Sequence, residues 1–277
     1  MLYNTEYVKG MLRPVFTFAA CDVWEFDFAP HDVGRFPYAT GQVYGLAGEK
    51  SGSAFDGSNG TVFPFFYQYP AGSRIYDFKY QMPVEECGNM LILTAAVCKL
   101  DGSPDFAAPH MEVLKKWCEY LLTYGADPGE QLCTDDFAGH LSHNVNLSAK
   151  AIMGIEAFAL LARQMGQEEV YGEYHEKAVK MAGDWEKRAD AGDHTALSFG
   201  DRDSWSLKYN LVWDKFFGSS LFREDVYRKE IDYYIKKSNV YGVPLDSRKE
   251  YTKSDWILWC ASMTDDREKV DALIAPI

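Results

Sequence analysis

The densest group of side chains able to do acid–base chemistry lies in CTDDFAGHLSHNVN, which gathers Asp135, Asp136, His140, His143 and Asn144. If Asp136 to Asn144 is helical, Asp136 and His140 stand one turn apart, and His143 and Asn144 extend the same face. A carboxylate beside an imidazole orients the ring and raises its pKa, which readies it to take a proton from water. The same residues equally fit a capped helix start, with aspartates accepting backbone N–H groups and histidines satisfying nearby carbonyls. A zinc site would need a third strong ligand that the spacing does not supply, so neither a metal nor another cofactor is expected.

Further candidates are spread along the chain. Glu85 and Glu86 follow Pro83 in the first turn of an expected helix, where exposed amide donors favour acids. Neighbours on a helix point about 100° apart, so the two are not a catalytic dyad; Glu86 is expected to line a site, with Glu85 close behind it. His31 and Asp32 sit between a Pro and a Gly, a context that presents side chains outward or forms a structural Asx-turn. SWSLKYNLVWD supplies Trp205, Lys208 and Asp214, and PLDSRKEYTKSDW supplies Asp246, Arg248, Lys249 and Asp255. The ordinary nucleophile signatures are missing: there is no GxSxG or SxxK, and His175-Glu176 is not followed by the second histidine of HExxH. If the substrate is an amide, the expected chemistry is then direct attack by water. Asp136 or His140 would serve as base, Glu86 or Asp246 as acid, with Asp135 and Asp214 as further carboxyls. Lys208, Asn144 or backbone amides would face the developing oxyanion.

These residues need helices to position them. Spacing of apolar residues predicts helices over 6–20, 84–99, 105–124, 146–166 with Asn146 as N-cap, 168–188, 209–217, 224–237, 253–261 and 265–273. Residues 21–81 are turn-rich, and so long a stretch without clear helices reads as a functional insertion or several short strands. From residue 84 a pattern repeats. Helices rich in small and apolar residues (MLILTAAV, AIMGIEAFALLA) alternate with charged, Trp-bearing ones (MEVLKKWCEYLL, HEKAVKMAGDWEKR). The first kind suits burial on several sides and the second suits one solvated face. An inner and an outer layer follow, as in an α/α toroid or solenoid. In a toroid the polar segments before the inner helices converge on one mouth of a central funnel.

Composition sets the outer limits. With 277 residues and 47% hydrophobic content, the chain can bury a full core, and no linker divides it, so a single domain over 1–277 is expected. A formal charge of −13, from 28 Lys and Arg against 41 Asp and Glu, repels phosphate backbones and argues against nucleic acid. Aromatics at 15% fit clefts for polar ligands as well as loops packed on a helical core. The cysteines are scattered without CxxC, and Cys98 and Cys118 read as small buried hydrophobes. The N-terminus lacks a basic stretch followed by a long apolar run, so neither a signal peptide nor a membrane span is expected.

The segments FDFAPHDVGRFPYATGQVYG, MPVEECGNMLIL, EQLCTDDFAGHLSHNVNLSAKAIMG, SWSLKYNLVWDKFFG and YGVPLDSRKEYTKSDWILW resemble the catalytic region of the glutaminase A family, in the same order and over nearly the whole chain. The resemblance implies an all-α fold, an α/α toroid of the six-hairpin glycosidase type, in secreted or periplasmic proteins. It implies hydrolysis of L-glutamine to glutamate and ammonia. It also implies a β-rich domain that usually precedes the toroid and further helical sequence after it, so that an incomplete ring, a truncated gene or an excised fragment are the readings left open here. Free glutamine carries an ammonium and a carboxylate, and Arg248 is then the expected clamp for the carboxylate. Because the ring type is shared with glycoside hydrolases, an oligosaccharide cut between paired carboxylates is the alternative, and an inactive α/α scaffold is a third.

Overall fold

Inner helices begin where the sequence turns from polar to uniformly apolar, and that change governs the architecture. The computed structural model describes residues 4–31, 33, 78, 81–133 and 138–277. Most of the turn-rich stretch 21–81 therefore lies outside the described residues. Among those described, the regular elements are the helices α1 (Thr5–Ala19), α2 (Pro83–Asp101), α3 (Met111–Tyr124), α4 (Val145–Gln164), α5 (Glu168–Ala189), α6 (Val212–Phe217), α7 (Glu224–Lys237), α8 (Ser254–Ala261) and α9 (Arg267–Ile274), with isolated β-bridges but no strands.

Helix α4 is the hub. It packs on α2, α3 and α5 and on the 3-10 turn Tyr209–Leu211 that leads into α6. By length and apolarity it would pass for a membrane span, yet 94% of its most apolar window is buried inside the protein. Helices α3, α5 and α7 are amphipathic and form the outer layer, which buries Trp117, Trp185 and Tyr234. Small residues let the layers approach. A Cβ on Gly154 of α4 would lie 2.6 Å from Leu121 Cδ1 of α3 and 3.3 Å from Gly88 Cα of α2.

Local signals fix the helix ends. Pro83 opens α2 and Gly102, in the left-handed region at φ 68°, closes it. The cap of α4 is Asn144 rather than Asn146: the Asn144 side chain accepts from Leu147 N at 3.0 Å. The helix supposed to reach Asn144 does not exist over its described part. Residues 139–144 are irregular, with Gly139 at φ 82° and His143 at φ 60°, a left-handed conformation that ends any helical run.

The starts of α2, α4, α6 and α8 lie side by side. Glu85 of α2 pairs with Lys150 of α4. Asn210, just before α6, bonds Asn146 of α4 through its backbone N (3.3 Å) and its Nδ2 (3.1 Å). Tyr209 stacks on Trp256 of α8 at 4.2 Å, and an isolated bridge joins Ser206 to Asp246. The polar lead-ins of the inner helices thus share one end of the molecule.

Candidate functional site

At that end lies a cavity of about 1080 Å³, lined by α1, the first turns of α2 and α4, the Tyr209–Asn210 turn and α8. Its polar wall is built from α2 and α4. Lys150 interrupts the apolar run AKAIMGIEAFALL and is only 4% exposed. Its stem crosses α2 at Gly88, where a Cβ would lie 2.6 Å from Lys150 Cγ. The ammonium reaches the buried Glu85 carboxylate and the Asn89 Oδ1, the latter at 2.9 Å. The Asn89 Nδ2 in turn lies 3.4 Å from Glu85 Oε1 and 3.4 Å from Glu86 Oε2.

Glu86 is half-buried on this wall. Burial, reinforced by the charge of Glu85, pushes its carboxyl up to about 7, against the opposing pull of His31, Lys150 and the Asn89 amide. A carboxyl titrating there can both take and return a proton near neutrality. His31, itself buried, lines the same cavity. Across from these groups stand Tyr209, Trp213, Trp256 and Trp259. Trp256 carries Tyr209 on its ring and the Lys253 ammonium 5.3 Å from its centroid, and Trp213 meets Trp259 edge-on at 5.4 Å.

The other expected residues among those described do not line this cavity. Asp246 and Arg248 face a separate small pocket with Asn144. The Arg248 guanidinium is already engaged: Nε and Nη2 reach Asp246 at 3.0 and 2.6 Å, and Nη1 donates to Ala138 O at 3.2 Å. It braces the loop ahead of α4. Asp214 is buried and accepts from Leu221 N, Phe222 N and the Tyr227 hydroxyl (3.1, 3.2 and 2.6 Å), which holds the turn containing Ser220 at φ 56°. Lys208 is fully buried, and its ammonium donates to Thr195 O, Ser206 O and Ser206 Oγ (3.2, 3.0 and 2.9 Å). Burial brings its pKa down to about 8. Trp205 is buried and exchanges hydrogen bonds with Ser247. His143 is exposed and pairs with Asp127 at 2.8 Å, His140 is exposed, and Asp255 accepts from Trp256 N at the surface. Asp32, Asp135 and Asp136 lie outside the described residues. Among the described residues no three His, Cys, Asp or Glu side chains converge with metal-ligand spacing.

The structure therefore keeps Glu86 and His31 together and adds Lys150, Asn89 and the aromatic wall, which sequence reasoning passed over. A signal for Lys150 was available, since a lone cation inside an apolar helix stays buried only when paired. Asn89, one turn beyond Glu85 and Glu86, was the place to look for that pairing.

Comparison with known proteins agrees with this architecture. The chain is 31% identical over 268 residues to glutaminase A of Aspergillus oryzae (strain ATCC 42149 / RIB 40), covering 95% of this chain and 34% of that protein. It is 25% identical over 282 residues to the probable glutaminase/05536 of Arthroderma benhamiae (strain ATCC MYA-4681 / CBS 112371), covering 71% of this chain and 32% of that protein. It thus spans about a third of the length of these relatives. The family model of the glutaminase A six helical-hairpin domain matches residues 1–277. The all-helical paired layers and this full-length match together make the chain a member of the glutaminase A six helical-hairpin family.

Proposed function

We propose that this chain carries the reaction centre of a glutaminase-like amidohydrolase and that Glu86 is its acid–base group. The observation that supports this reading is a carboxyl held near 7 on the polar wall of a large cavity, in a chain similar to glutaminases. The ionised Glu86 takes a proton from water, and the resulting hydroxide oxygen bonds to the side-chain amide carbon of L-glutamine. The positive field of Lys150, whose ammonium stays on Glu85 and Asn89 behind this wall and does not itself bind the substrate, favours the charge that develops on the oxyanion. As the C–N bond breaks, Glu86 returns its proton to nitrogen. Ammonia leaves, and the new carboxylic acid ionises to give glutamate and ammonium.

An amide hydrolysis of this kind needs one proton-shuttling carboxyl, whereas glycoside hydrolysis needs two facing each other at about 5 to 9 Å. Among the described cavity residues the other acid is Glu6, which is engaged by Lys9 and Arg13. The test is ammonia release from L-glutamine by the full-length protein. Glu86→Gln is expected to lower kcat by roughly 100- to 10,000-fold. An unmodified protein that releases no ammonia, or a Glu86→Gln variant as fast as its parent, would sink the reading.

A further inference from the structure

The Asn89 amide has an orientation that its neighbours dictate. Lysine has three donors and no acceptor, so the Lys150 ammonium at 2.9 Å requires Oδ1 on its side. The amide's only donors, on Nδ2, are then turned to the carboxylates of Glu85 and Glu86. Lys150 is held in turn by the buried Glu85, and its stem fits because residue 88 has no Cβ. Four side chains from two helices are thereby locked into one sequence of donors and acceptors that ends on the carboxyl facing the cavity.

We propose that Asn89 and Lys150 are positioning residues for Glu86: Lys150 fixes the flip of the Asn89 amide, and the amide presents a donor that orients the Glu86 carboxylate. This rests on the reading of Glu86 as the acid–base group for its functional meaning, but the geometry stands without any substrate. Among the described residues, the charged or titratable groups around Glu86 and its cavity are Glu85 on its own helix, His31 ahead of it, Lys150 on α4, Tyr209 before α6, and Glu6, Tyr7 and Arg13 of α1. To these the Asn89 amide adds an uncharged donor, its Nδ2 lying 3.4 Å from Glu86 Oε2.

The experiment is a pH titration of the full-length protein carrying 13C-labelled glutamate, with the Glu86 carboxyl resonance assigned by its loss in Glu86→Gln. Asn89→Asp keeps the shape and the acceptor for Lys150 but removes the donor and adds a charge. It is expected to raise the Glu86 midpoint by about one pH unit, a tenfold change in acidity. Asn89→Leu, which adds no charge, is expected to raise it by at least half a unit, roughly threefold. Thermal unfolding of each variant at pH 5 checks that the fold is retained. A Glu86 midpoint that stays within 0.2 units of the parent in a folded Asn89→Leu overturns the proposal. So does a rise confined to Asn89→Asp, which would be a bare charge effect. Should the parent release no ammonia from glutamine, the glutaminase reading fails while the midpoints still decide the role of Asn89.

Discussion

At Glu86 the protein holds a carboxyl against its own preference, and that choice leaves a thermodynamic trace. The folded pKa is about 7 against an ordinary 4.5, so the folded state binds more protons than the unfolded state between those values. Stability is greatest where both states are protonated, below about 4.5, and falls as pH rises through 7. A shift of that size corresponds to about 2 to 3 kcal/mol of destabilisation at pH 8, with some discount for the part of the side chain that faces the cavity. Glu86→Gln should therefore raise the urea midpoint at pH 8 and leave it nearly unchanged at pH 4. A midpoint that falls at pH 8 and not at pH 4 would mean that the ionised carboxylate is a net stabiliser, contrary to the environment described. A residue that weakens the fold at working pH fits a group retained for chemistry.

The elements were easier to read than the residues they carry. Helix α4 shows why: its end-to-end apolar pattern marks it as a core helix, and the structure places it over Val145–Gln164, but the cap falls on Asn144. Two asparagines separated by one valine both precede an apolar run, and sequence spacing does not say which side chain turns back onto the helix. As the cap, Asn144 is structural, so Asn144→Ala should cost about 1 kcal/mol and leave the KM of the proposed glutamine hydrolysis unchanged; a severalfold rise in KM would return it to the binding site. Asp246 and Arg248 show the same limit. Opposite charges two residues apart suit a substrate clamp as well as a partner for each other, and burial of Asp246 decided for the partner. In contrast, Lys150 was hidden by its helix, because nothing in the apolar run states which distant carboxylate neutralises it. The helix pattern is local and survives in sequence, whereas the site is a crossing of two helices 65 residues apart.

On the scale of the whole molecule, that crossing ties the core to the cavity. Gly154 lies where α4 meets both α2 and α3, and Gly88 lies on the facing side of α2 beneath the Lys150 stem. In Gly154→Ala two effects oppose each other. Alanine in place of glycine favours a helix by about 1 kcal/mol, while overpacking a tight interface costs about 1 to 3 kcal/mol. The new methyl would meet Leu121 Cδ1, the end of a side chain that can turn away, but also the backbone Cα of Gly88 at 3.3 Å, which can yield only by moving α2. The packing term should win, with a net loss of stability and a small displacement of α2 from α4. Because Glu85, Glu86 and Asn89 ride on α2 and Lys150 on α4, the same substitution should shift the Glu86 titration midpoint although no atom of Gly154 touches the cavity. Thermal unfolding together with the glutamate resonance of Gly154→Ala tests both halves. A variant more stable than its parent would show that the helices have room at the crossing. A destabilised variant with an unmoved Glu86 would show that strain in the layer is absorbed before it reaches the polar wall.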